Sequence, residues 1–402
     1  MKILYISQYF YPENFRGNDI AFDFAKNNDV HVVCGIPNYP QGKFYNGYGF
    51  FHKRKETING VHVTRIPIIA RGNNSFCLML NYFSFMINAC IYIFFHAFYH
   101  KYDCVFVQQL SPIMMSMPGV LYKKLRKVPL YTWVLDLWPE SLQAAGGINN
   151  KYILRFFSSF VKKEYKWSNK ILISSKSFEK SIKKYGDYTN KIIYFPQWAE
   201  DDISQSQDSN LITIPSLPQG FKVMFAGNIG EAQDFENIIK AAILTSSYKN
   251  IKWIIIGDGR KLEWVKKVVS ENKLEETILI LGRYPISAMH LFFKQADIML
   301  VSLKNKPIFS LTAPAKIQAY MAAHKPIISM LNGEGANLIK EADCGYCVSA
   351  ENAEMLAKQI IEISKFNKYE LQLKGENGFH YYQKHFDKKA CIKKLKNILK
   401  CS

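Results

Sequence analysis

Short apolar runs alternate with helical patterns through the first half of the chain, and this order of elements constrains the fold more than any other feature. The runs predict strands at residues 3–7, 30–34, 61–66, 104–108, 130–135 and 171–174. Helical patterns lie between them, at residues 19–26, 76–99, 113–125, 152–167 and 178–185. Because such alternation joins strands through crossover helices, the sequence predicts a parallel sheet covered on both faces.

The composition of the sequence changes near residue 200. Residues 200–210 are polar, and Pro215 and Pro218 follow, so we interpret 200–219 as a linker. A second alternating series then predicts strands at residues 222–226, 252–256, 278–281, 298–302, 326–329 and 346–348. A chain of 402 residues is also long for a single hydrophobic core.

The predicted architecture is therefore an α/β protein with two doubly wound, Rossmann-like domains that face each other across a cleft. The first domain covers residues 1–199 and the second covers 220–385. A helix at 386–402 is a candidate for crossing back to the first domain. In such domains, ligands bind at the carboxyl ends of the parallel strands.

Positive charge is concentrated in the first half. Residues 1–200 hold 25 Lys and Arg against 12 Asp and Glu, whereas residues 201–402 hold 27 against 21. The first domain therefore carries +13 of the net charge of +19, which indicates an anionic partner there. Because no recognised nucleic-acid-binding motif accompanies these residues, we expect an anionic membrane surface as the partner and no nucleic acid.

Residues 72–100 contain no Asp, Glu, Lys or Arg, which raises the question of a membrane-spanning helix. Polar side chains recur there every three to four positions, at Asn81, Ser84, Asn88, Tyr92 and His96. That spacing gives an otherwise apolar helix one polar side. We expect a helix that packs on the sheet or lies in the bilayer interface rather than one that crosses the membrane.

The compartment is predicted from the first residues and from the cysteines. Residues 2–6 resemble a buried strand rather than a signal peptide, and the eight cysteines are scattered along the chain. We expect a reduced, cytoplasmic compartment, with the protein bound peripherally to the inner face of the cell membrane.

Two carboxylates follow the strand predicted at 130–135. Asp136 and Glu140 stand at its carboxyl end beside Trp138, where a general base or a partner for sugar hydroxyls would be placed. Both are candidate catalytic residues. The alternative interpretation is a helix cap together with a surface glutamate.

Glycine-bearing turns follow several strands of the second series. Gly227 and Gly230 lie between a strand and a helix, where their backbone N–H groups are candidate donors to a diphosphate. Gly257 lies in the next turn, and Glu334 and Gly335 lie in a later one. This repetition predicts a nucleotide-binding second domain.

Lys316 stands near the start of a predicted helix, just after Pro314. A cation at that end of a helix is unfavourable unless an anion is bound. We therefore interpret Lys316 as a phosphate ligand.

Taken together, six motifs resemble glycosyltransferase family 4, whose members have the GT-B fold. They are Tyr11-Pro-Glu with Gly17, Pro37-Asn-Tyr-Pro, Asp136-Leu-Trp-Pro-Glu, Ala226-Gly-Asn-Ile-Gly, Gly257-Asp-Gly and Pro314-Ala-Lys…Tyr-Met-Ala. Within that family, Ala226-Gly-Asn-Ile-Gly-Glu-Ala-Gln-Asp-Phe and Asn332-Gly-Glu-Gly-Ala resemble the bacterial L-fucosaminyltransferases of O-antigen and capsule synthesis. The resemblance implies a UDP-sugar donor, with N-acetyl-L-fucosamine as the sugar, an undecaprenyl-diphosphate-linked acceptor, and no metal cofactor.

By position, the resemblance also assigns residues to the donor. Gly17, with Asn18 beside it, would face the donor diphosphate, and Arg283 marks the loop that reads the nucleobase. Gln318 joins Lys316, Glu334 and Gly335 in the candidate donor site.

The chain departs from the family at four positions. Asn228 and Gln233 replace an Arg and a Lys that hold the diphosphate, and Leu311 and Ala319 replace two sugar-reading glutamates. The diphosphate charge is therefore left to Lys316 and to backbone dipoles. A 6-deoxy sugar lacks one hydroxyl, which is compatible with losing a glutamate that would otherwise be unpaired.

These departures leave the mechanism open between retention, which needs no protein base, and inversion, which needs one. A sugar-nucleotide 2-epimerase of the same fold and a non-catalytic partner that binds nucleotide sugars are the alternative functions.

Overall fold

The computed structural model describes residues 1–72, 74–147, 149–200 and 213–400. The chain divides into two compact units. Unit 1 consists of Met1–Pro196 together with Cys391–Ser402, and unit 2 consists of Gln197–Ala390. The division falls just before the predicted linker 200–219, of which residues 201–212 lie outside the described residues.

Unit 1 is built on an eight-stranded sheet with the order β3-β4-β2-β1-β5-β6-β7-β8. Only β3 runs antiparallel to its neighbour. The chain order reverses between β1 and β5, and ligands bind at the carboxyl side of such a switch point. The strands are β1 (Lys2–Ile6), β2 (Asp29–Gly35), β3 (Lys55–Ile58), β4 (Val61–Ile66), β5 (Cys104–Gln109), β6 (Leu130–Val134), β7 (Lys170–Ile173) and β8 (Ile192–Tyr194).

The helices that cover this sheet overlap the predicted ones, except the short helix at Glu140–Gly146, which the sequence analysis does not predict. They are α1 (Arg16–Ala25), α2 (Ser75–Tyr99), α3 (Met117–Arg126), α4 (Glu140–Gly146), α5 (Lys151–Trp167) and α6 (Phe178–Ile182), with 3₁₀ turns at Ile113–Ser116 and Lys183–Tyr185. Every residue of β5 and β6 is buried, because helices lie on both faces of a parallel sheet. Only the strand ends are therefore free to hold a ligand.

Unit 2 contains a six-stranded, wholly parallel sheet with the order β11-β10-β9-β12-β13-β14. Its strands are β9 (Phe221–Ala226), β10 (Ile251–Ile256), β11 (Ile278–Gly282), β12 (Ile298–Ser302), β13 (Ile327–Met330) and β14 (Gly345–Val348). Its helices are α7 (Phe235–Thr245), α8 (Leu262–Glu271), α9 (Met289–Gln295), α10 (Pro307–Leu311), α11 (Ala315–Ala322), α12 (Glu334–Glu341), α13 (Ala353–Ile363) and α14 (Lys368–His385). The predicted α/β class with two doubly wound sheets is confirmed, and the switch point of unit 2 lies between β9 and β12.

The last helix, α15 (Lys388–Lys400), returns to unit 1. The Lys396 ammonium lies 2.5 Å from the Asp23 carboxylate, and Lys394 Nζ donates to the Tyr194 carbonyl at 2.8 Å. Leu395 and Leu399 are buried, so the end of the chain completes the core of unit 1.

The polar side of α2 faces the protein. Asn81 Nδ2 donates to the Ile69 carbonyl at 2.6 Å, and Asn88 Nδ2 donates to the Pro67 carbonyl at 2.8 Å. His96 Nε2 lies 2.9 Å from the Tyr102 hydroxyl, so His96 belongs to this side, as its spacing predicts. The helix packs on unit 1 through these polar contacts and through buried Phe85, Ala89 and Ile93.

The opposite side of α2 is apolar and exposed. The exposed residues are Phe76, Leu80, Ile87, Ile91, Phe94, Phe95, Phe98 and Tyr99. The helix is long and apolar enough to cross a membrane, with a mean hydropathy of 1.7 over a window that is only 28% buried. Its amphipathicity is thus inverted relative to that of an ordinary surface helix.

Candidate active site

Asp136 lies at the carboxyl edge of the unit 1 sheet, just after β6. Its carboxylate accepts a hydrogen bond from the Ser141 hydroxyl, and the side chains of Ser111 and Trp138 also hydrogen-bond to it. Burial nevertheless raises the pKa of Asp136 above its ordinary value. A carboxylate with a raised pKa accepts a proton more readily than an exposed one, which suits a general base.

Glu140 has different partners, although it begins α4 only four residues later. One carboxylate oxygen accepts a hydrogen bond from the Ser181 hydroxyl at 2.5 Å and lies 3.8 Å from the Lys184 ammonium. The other oxygen is buried and has no hydrogen-bond partner among the described residues. The structure therefore ties Glu140 to α6, whereas Asp136 stays at the carboxyl end of β6, next to β5.

A line of side chains leads from Asp136 to the loop after β1. Trp138 Nε1 donates to Ser111 Oγ at 3.0 Å, and the Tyr82 hydroxyl hydrogen-bonds with both Ser111 and Tyr9. The sequence analysis does not single out Tyr9 or Tyr82. Tyr9 directly follows a predicted strand, which is the signal that could have found it.

Glu13 holds the loops after β1 and β2 together. Its carboxylate accepts hydrogen bonds from the backbone N–H groups of Asn38 at 2.8 Å, Tyr39 at 2.7 Å and Phe10 at 3.3 Å. Burial raises the pKa of Glu13 to about 7, although these N–H groups lower it. Glu13 is thus a structural residue of the site. The Tyr11-Pro-Glu motif alone does not show whether this glutamate holds the loops together or binds a ligand.

Asn18, predicted as a donor-binding residue, has a side chain that is bonded within its own loop. Asn18 Nδ2 donates to the Glu13 carbonyl at 2.7 Å, and Asn18 Oδ1 accepts from the Tyr11 N–H at 3.2 Å. Both polar groups of the buried side chain are therefore used within the loop. At Gly17, a Cβ would approach Gln108 Oε1 to 1.9 Å, so packing against the sheet also requires a glycine there.

The glycine-rich turn of unit 2 also differs from its prediction. The Gly227 N–H donates to the Ile256 carbonyl at 2.8 Å, and the Gly230 N–H donates to Gln233 Oε1 at 3.1 Å. These N–H groups are bonded within the unit rather than free for a diphosphate. Asn228 Nδ2 also donates to Gln233 Oε1, at 3.2 Å, so the two neutral side chains shape the turn.

Gly227 has a different role, because it makes room for Lys316. A Cβ at Gly227 would lie 2.5 Å from Lys316 Cε, and one at Gly257 would lie 1.8 Å from the Gly227 carbonyl oxygen. Both glycines have positive φ angles, of 136° and 143°. Two glycines therefore allow the ends of β9 and β10 to approach each other beside the lysine.

Lys316 is the second residue of α11, and its ammonium is buried. The Nζ atom lies 3.5 Å from the centre of the Phe225 ring and has no hydrogen-bond partner among the described residues. Burial lowers the pKa of Lys316 to about 7. An ammonium with no anion beside it is costly to bury, so this position favours an anionic ligand.

The remaining donor candidates lie at the same carboxyl edge. Gln318, also on α11, is buried, and its Oε1 has no hydrogen-bond partner in the described part of the chain. Glu334 is the first residue of α12, and a Cβ at Gly335 would lie 3.2 Å from Pro314 Cδ. The starts of α11 and α12 are therefore close together. Arg283 is exposed in the loop after β11.

No group of three or more His, Cys, Asp or Glu side chains within residues 1–72, 74–147, 149–200 and 213–400 is arranged to hold a metal ion.

Comparison with known proteins gives a family match within unit 2 and a fold for the chain. Residues 213–378 match the family described as Glycosyl transferases group 1. The chain is 28% identical over 249 residues to the probable glycosyltransferase WbjE of Pseudomonas aeruginosa, a match that covers 59% of this chain and 61% of that protein. It is 23% identical to the putative colanic acid biosynthesis glycosyl transferase WcaI of Escherichia coli, covering 68% and 70%.

Among solved structures, the chain is similar to HepE of Anabaena in complex with UDP and glucose. The TM-score is 0.67 at 13% sequence identity, and the match covers 100% of this chain and 99% of HepE. This likeness shows the fold, which is GT-B.

Proposed function

We propose that this chain, which has the GT-B fold and carries a group 1 glycosyltransferase domain at residues 213–378, is a glycosyltransferase that uses a UDP-sugar. The acceptor in this proposal is a lipid-linked oligosaccharide precursor of surface polysaccharide. The reaction takes place at the inner face of the cytoplasmic membrane and needs no metal ion.

One observation carries the proposal. The Lys316 ammonium is buried beside Gly227 with no hydrogen-bond partner among the described residues, inside the segment that matches the glycosyltransferase family. A donor diphosphate would supply the missing anion and would form a charge-assisted hydrogen bond. The positive charge on Lys316 would also stabilise the leaving diphosphate as the sugar departs.

As the donor, we propose UDP-N-acetyl-L-fucosamine. Leu311 and Ala319 stand where the resembled family has its sugar-reading glutamates, which suits a sugar with one hydroxyl fewer. HepE was solved with UDP and glucose, and this supports UDP as the nucleotide. WcaI is named for colanic acid biosynthesis, which supports a polysaccharide product.

The lipid-linked acceptor is proposed from the surface of unit 1. The exposed apolar side of α2 suits the bilayer interface, and Phe83 of α2 contacts Phe156 of α5, with ring centres 6.5 Å apart. Tyr152 and Phe156 extend the apolar surface onto α5. Lys151 and Arg155 are exposed on the same helix, where they can meet anionic lipid headgroups.

A donor screen tests the proposal. Thermal-shift measurements with UDP-, GDP- and dTDP-sugars should show the largest rise in melting temperature with UDP-N-acetyl-L-fucosamine, because a ligand that binds only the folded state stabilises it. Transfer of that sugar to extracted bacterial lipids should follow and should persist in EDTA. Tight binding of GDP-mannose without any response to UDP compounds would reject the donor assignment. Formation of an epimer without acceptor would identify the epimerase alternative.

A further inference from the structure

Arg71 is a cation at the edge of the candidate active site. It lies in the loop between β4 and α2, where its backbone N–H donates to Asn38 Oδ1 at 3.0 Å. Its guanidinium lies 5.2 Å from the centre of the Tyr39 ring, and Arg71 Nη1 donates to the Tyr9 hydroxyl at 3.3 Å. Among the described residues no Asp or Glu forms an ion pair with it, whereas buried Arg65 pairs with Glu56 at 2.6 Å.

The contacts of Arg71 leave most of its hydrogen-bonding capacity unused. A guanidinium has five N–H donors in a planar fork, and one of them is committed to Tyr9. The Tyr39 ring and the loops that Glu13 holds together fix the position of the side chain. A half-buried, oriented arginine with free donors is suited to two-point binding of a phosphate.

Arg71 is also joined to the candidate base. It contacts Tyr9, the Tyr82 hydroxyl hydrogen-bonds with both Tyr9 and Ser111, and Ser111 hydrogen-bonds with Asp136. The cation and the carboxylate therefore lie at the two ends of one continuous row of side chains. A substrate bound along this row would have its anionic group at Arg71 and its reacting hydroxyl at Asp136.

On its other side, Arg71 adjoins the exposed apolar surface of α2. The helix begins four residues later, at Ser75, and a Cβ at Gly72 would lie only 2.8 Å from Cys77 Cβ. The loop therefore lies directly against the first turn of the helix. Exposed apolar side chains then continue along α2 from Phe76 to Tyr99.

We propose that Arg71 binds the diphosphate of a lipid-linked acceptor, with the lipid along the outward side of α2 and the acceptor sugar toward Asp136. The order of apolar helix, free cation and carboxylate in unit 1 matches the order of lipid, diphosphate and sugar hydroxyl in such a molecule. The inference rests on the proposed function, because it names the group that this site recognises in its acceptor.

Binding of farnesyl diphosphate, a short lipid diphosphate, tests the inference without turnover. Removing a charge-assisted hydrogen bond costs about 1.5–3 kcal/mol, so Arg71→Gln should weaken this binding about 10- to 100-fold. Arg71→Lys should retain part of the affinity, since it keeps the charge but loses the fork. Binding of farnesol should be the same in all variants. Lys127→Gln, which removes an exposed lysine just after α3 of the same unit, is the matched control and should bind as the wild type does.

Two further measurements separate the possible failures. Inorganic diphosphate should bind more weakly than farnesyl diphosphate, and equal binding with the same dependence on Arg71 would overturn the role of the lipid. UDP-sugar binding should be unaffected by Arg71→Gln. If UDP-sugars bind and Arg71→Gln still binds farnesyl diphosphate as tightly as wild type, only this inference fails. If no UDP-sugar binds to the wild type, the proposed function fails.

Discussion

Two ionisable side chains, Lys316 and Asp136, have pKa values that burial moves in opposite directions. In each case burial disfavours the charged form. Perturbed pKa values of this kind are concentrated at functional sites. The two groups lie in different units, one in the candidate donor site and the other in the candidate acceptor site, so each role can be tested separately.

The Lys316 ammonium should account for a large part of donor affinity. Lys316→Ala is expected to weaken UDP-sugar binding by about 1.5–3 kcal/mol, the range for hydrogen bonds to charged groups. Because its pKa is about 7 without ligand, the lysine must take up a proton to bind a diphosphate at higher pH. The dissociation constant should therefore rise about tenfold per pH unit above that value. Calorimetric titration across this pH range measures both effects.

Two variants control this prediction. Lys316→Met keeps the length of the side chain without the charge, so it should bind weakly and without the pH dependence. Lys340→Met removes an exposed lysine of α12 and should leave both affinity and pH dependence unchanged. Full affinity in Lys316→Met would mean that backbone groups alone hold the diphosphate.

Asp136 and Glu140 are equivalent candidates in the sequence, but the structure distinguishes them. If Asp136 is the general base, Asp136→Asn should lower kcat by about 10²–10⁴ and leave donor affinity intact. Glu140→Gln should remain within a few-fold of wild type, because Glu140 is bonded to Ser181. In the wild type, kcat should fall as the pH drops through the raised pKa of Asp136, since protonation removes the base. An active Asp136→Asn enzyme would favour a retaining route without a protein base.

At the scale of single elements, the sequence predicted the interior of unit 1 well and its edges poorly. Central strands such as β5 are continuous apolar runs, so burial on both faces reveals them. The edge strand β3 has the sequence Lys-Glu-Thr-Ile and is only partly buried, so its pairing with β4 is not visible in its composition. Helix α1 begins at Arg16 without a side-chain cap, and the sequence therefore lacks the signal that marks a helix start.

The sequence also predicted the polar side of α2, but it did not show which way that side faces. A stripe of Asn, Ser and His on a helix usually faces water. Here it faces unit 1, because Asn81 and Asn88 satisfy the carbonyl groups of Ile69 and Pro67. These carbonyls belong to the loop before α2 and lie outside the helix, so the pattern within the helix cannot reveal them. The same limit explains the turn of unit 2, where sheet pairing uses the Gly227 N–H.

The outward side of α2 should bind the protein to anionic membranes. Flotation with anionic vesicles at low salt is expected to recover the protein, because apolar burial adds to about 1 kcal/mol from each nearby basic residue. High salt should release a good part of it, and neutral vesicles should recover less. Equal recovery with the two lipids would remove the electrostatic contribution, and release only by detergent would indicate a membrane-spanning helix.

The double variant Phe95→Ser/Phe98→Ser tests whether α2 is the element that binds the membrane. These rings are 61% and 62% exposed, so their loss should reduce flotation without unfolding the protein. Tyr369→Ser removes a ring of α14 that is 72% exposed and should float as the wild type does. Equal loss in both variants would indicate a nonspecific effect of exposed aromatic side chains.

At the scale of the whole molecule, the alternation of predicted strands and helices, together with the length of the chain, was enough to predict two doubly wound sheets. In both sheets the strand order runs outward from a central switch point, except that β4 lies between β2 and β3. Where one unit ends was harder to predict. Polarity marks 200–219 as a linker, but the contacts assign Gln197–Ala390 to unit 2, because Trp198 and Ala199 are already buried and the Ala199 N–H donates to the Tyr382 hydroxyl at 3.2 Å.

The return of α15 makes the stability of unit 1 depend on the last residues of the chain. Leu395 is fully buried, so Leu395→Ala should cost about 2–5 kcal/mol of unfolding free energy, a large part of the 5–15 kcal/mol typical of a domain. Hydrogen exchange of the full chain should then become faster in β1 and β6, since Ile3 and Tyr131 lie on the strands that α15 covers. The strands of unit 2 should keep their protection, and Lys393→Ala, at an exposed position of the same helix, should change neither. Faster exchange confined to unit 2 would mean that α15 packs on unit 2 and not on unit 1. The expected result would mean that the core of unit 1 is completed by α15, a helix that follows the whole of unit 2 in the sequence.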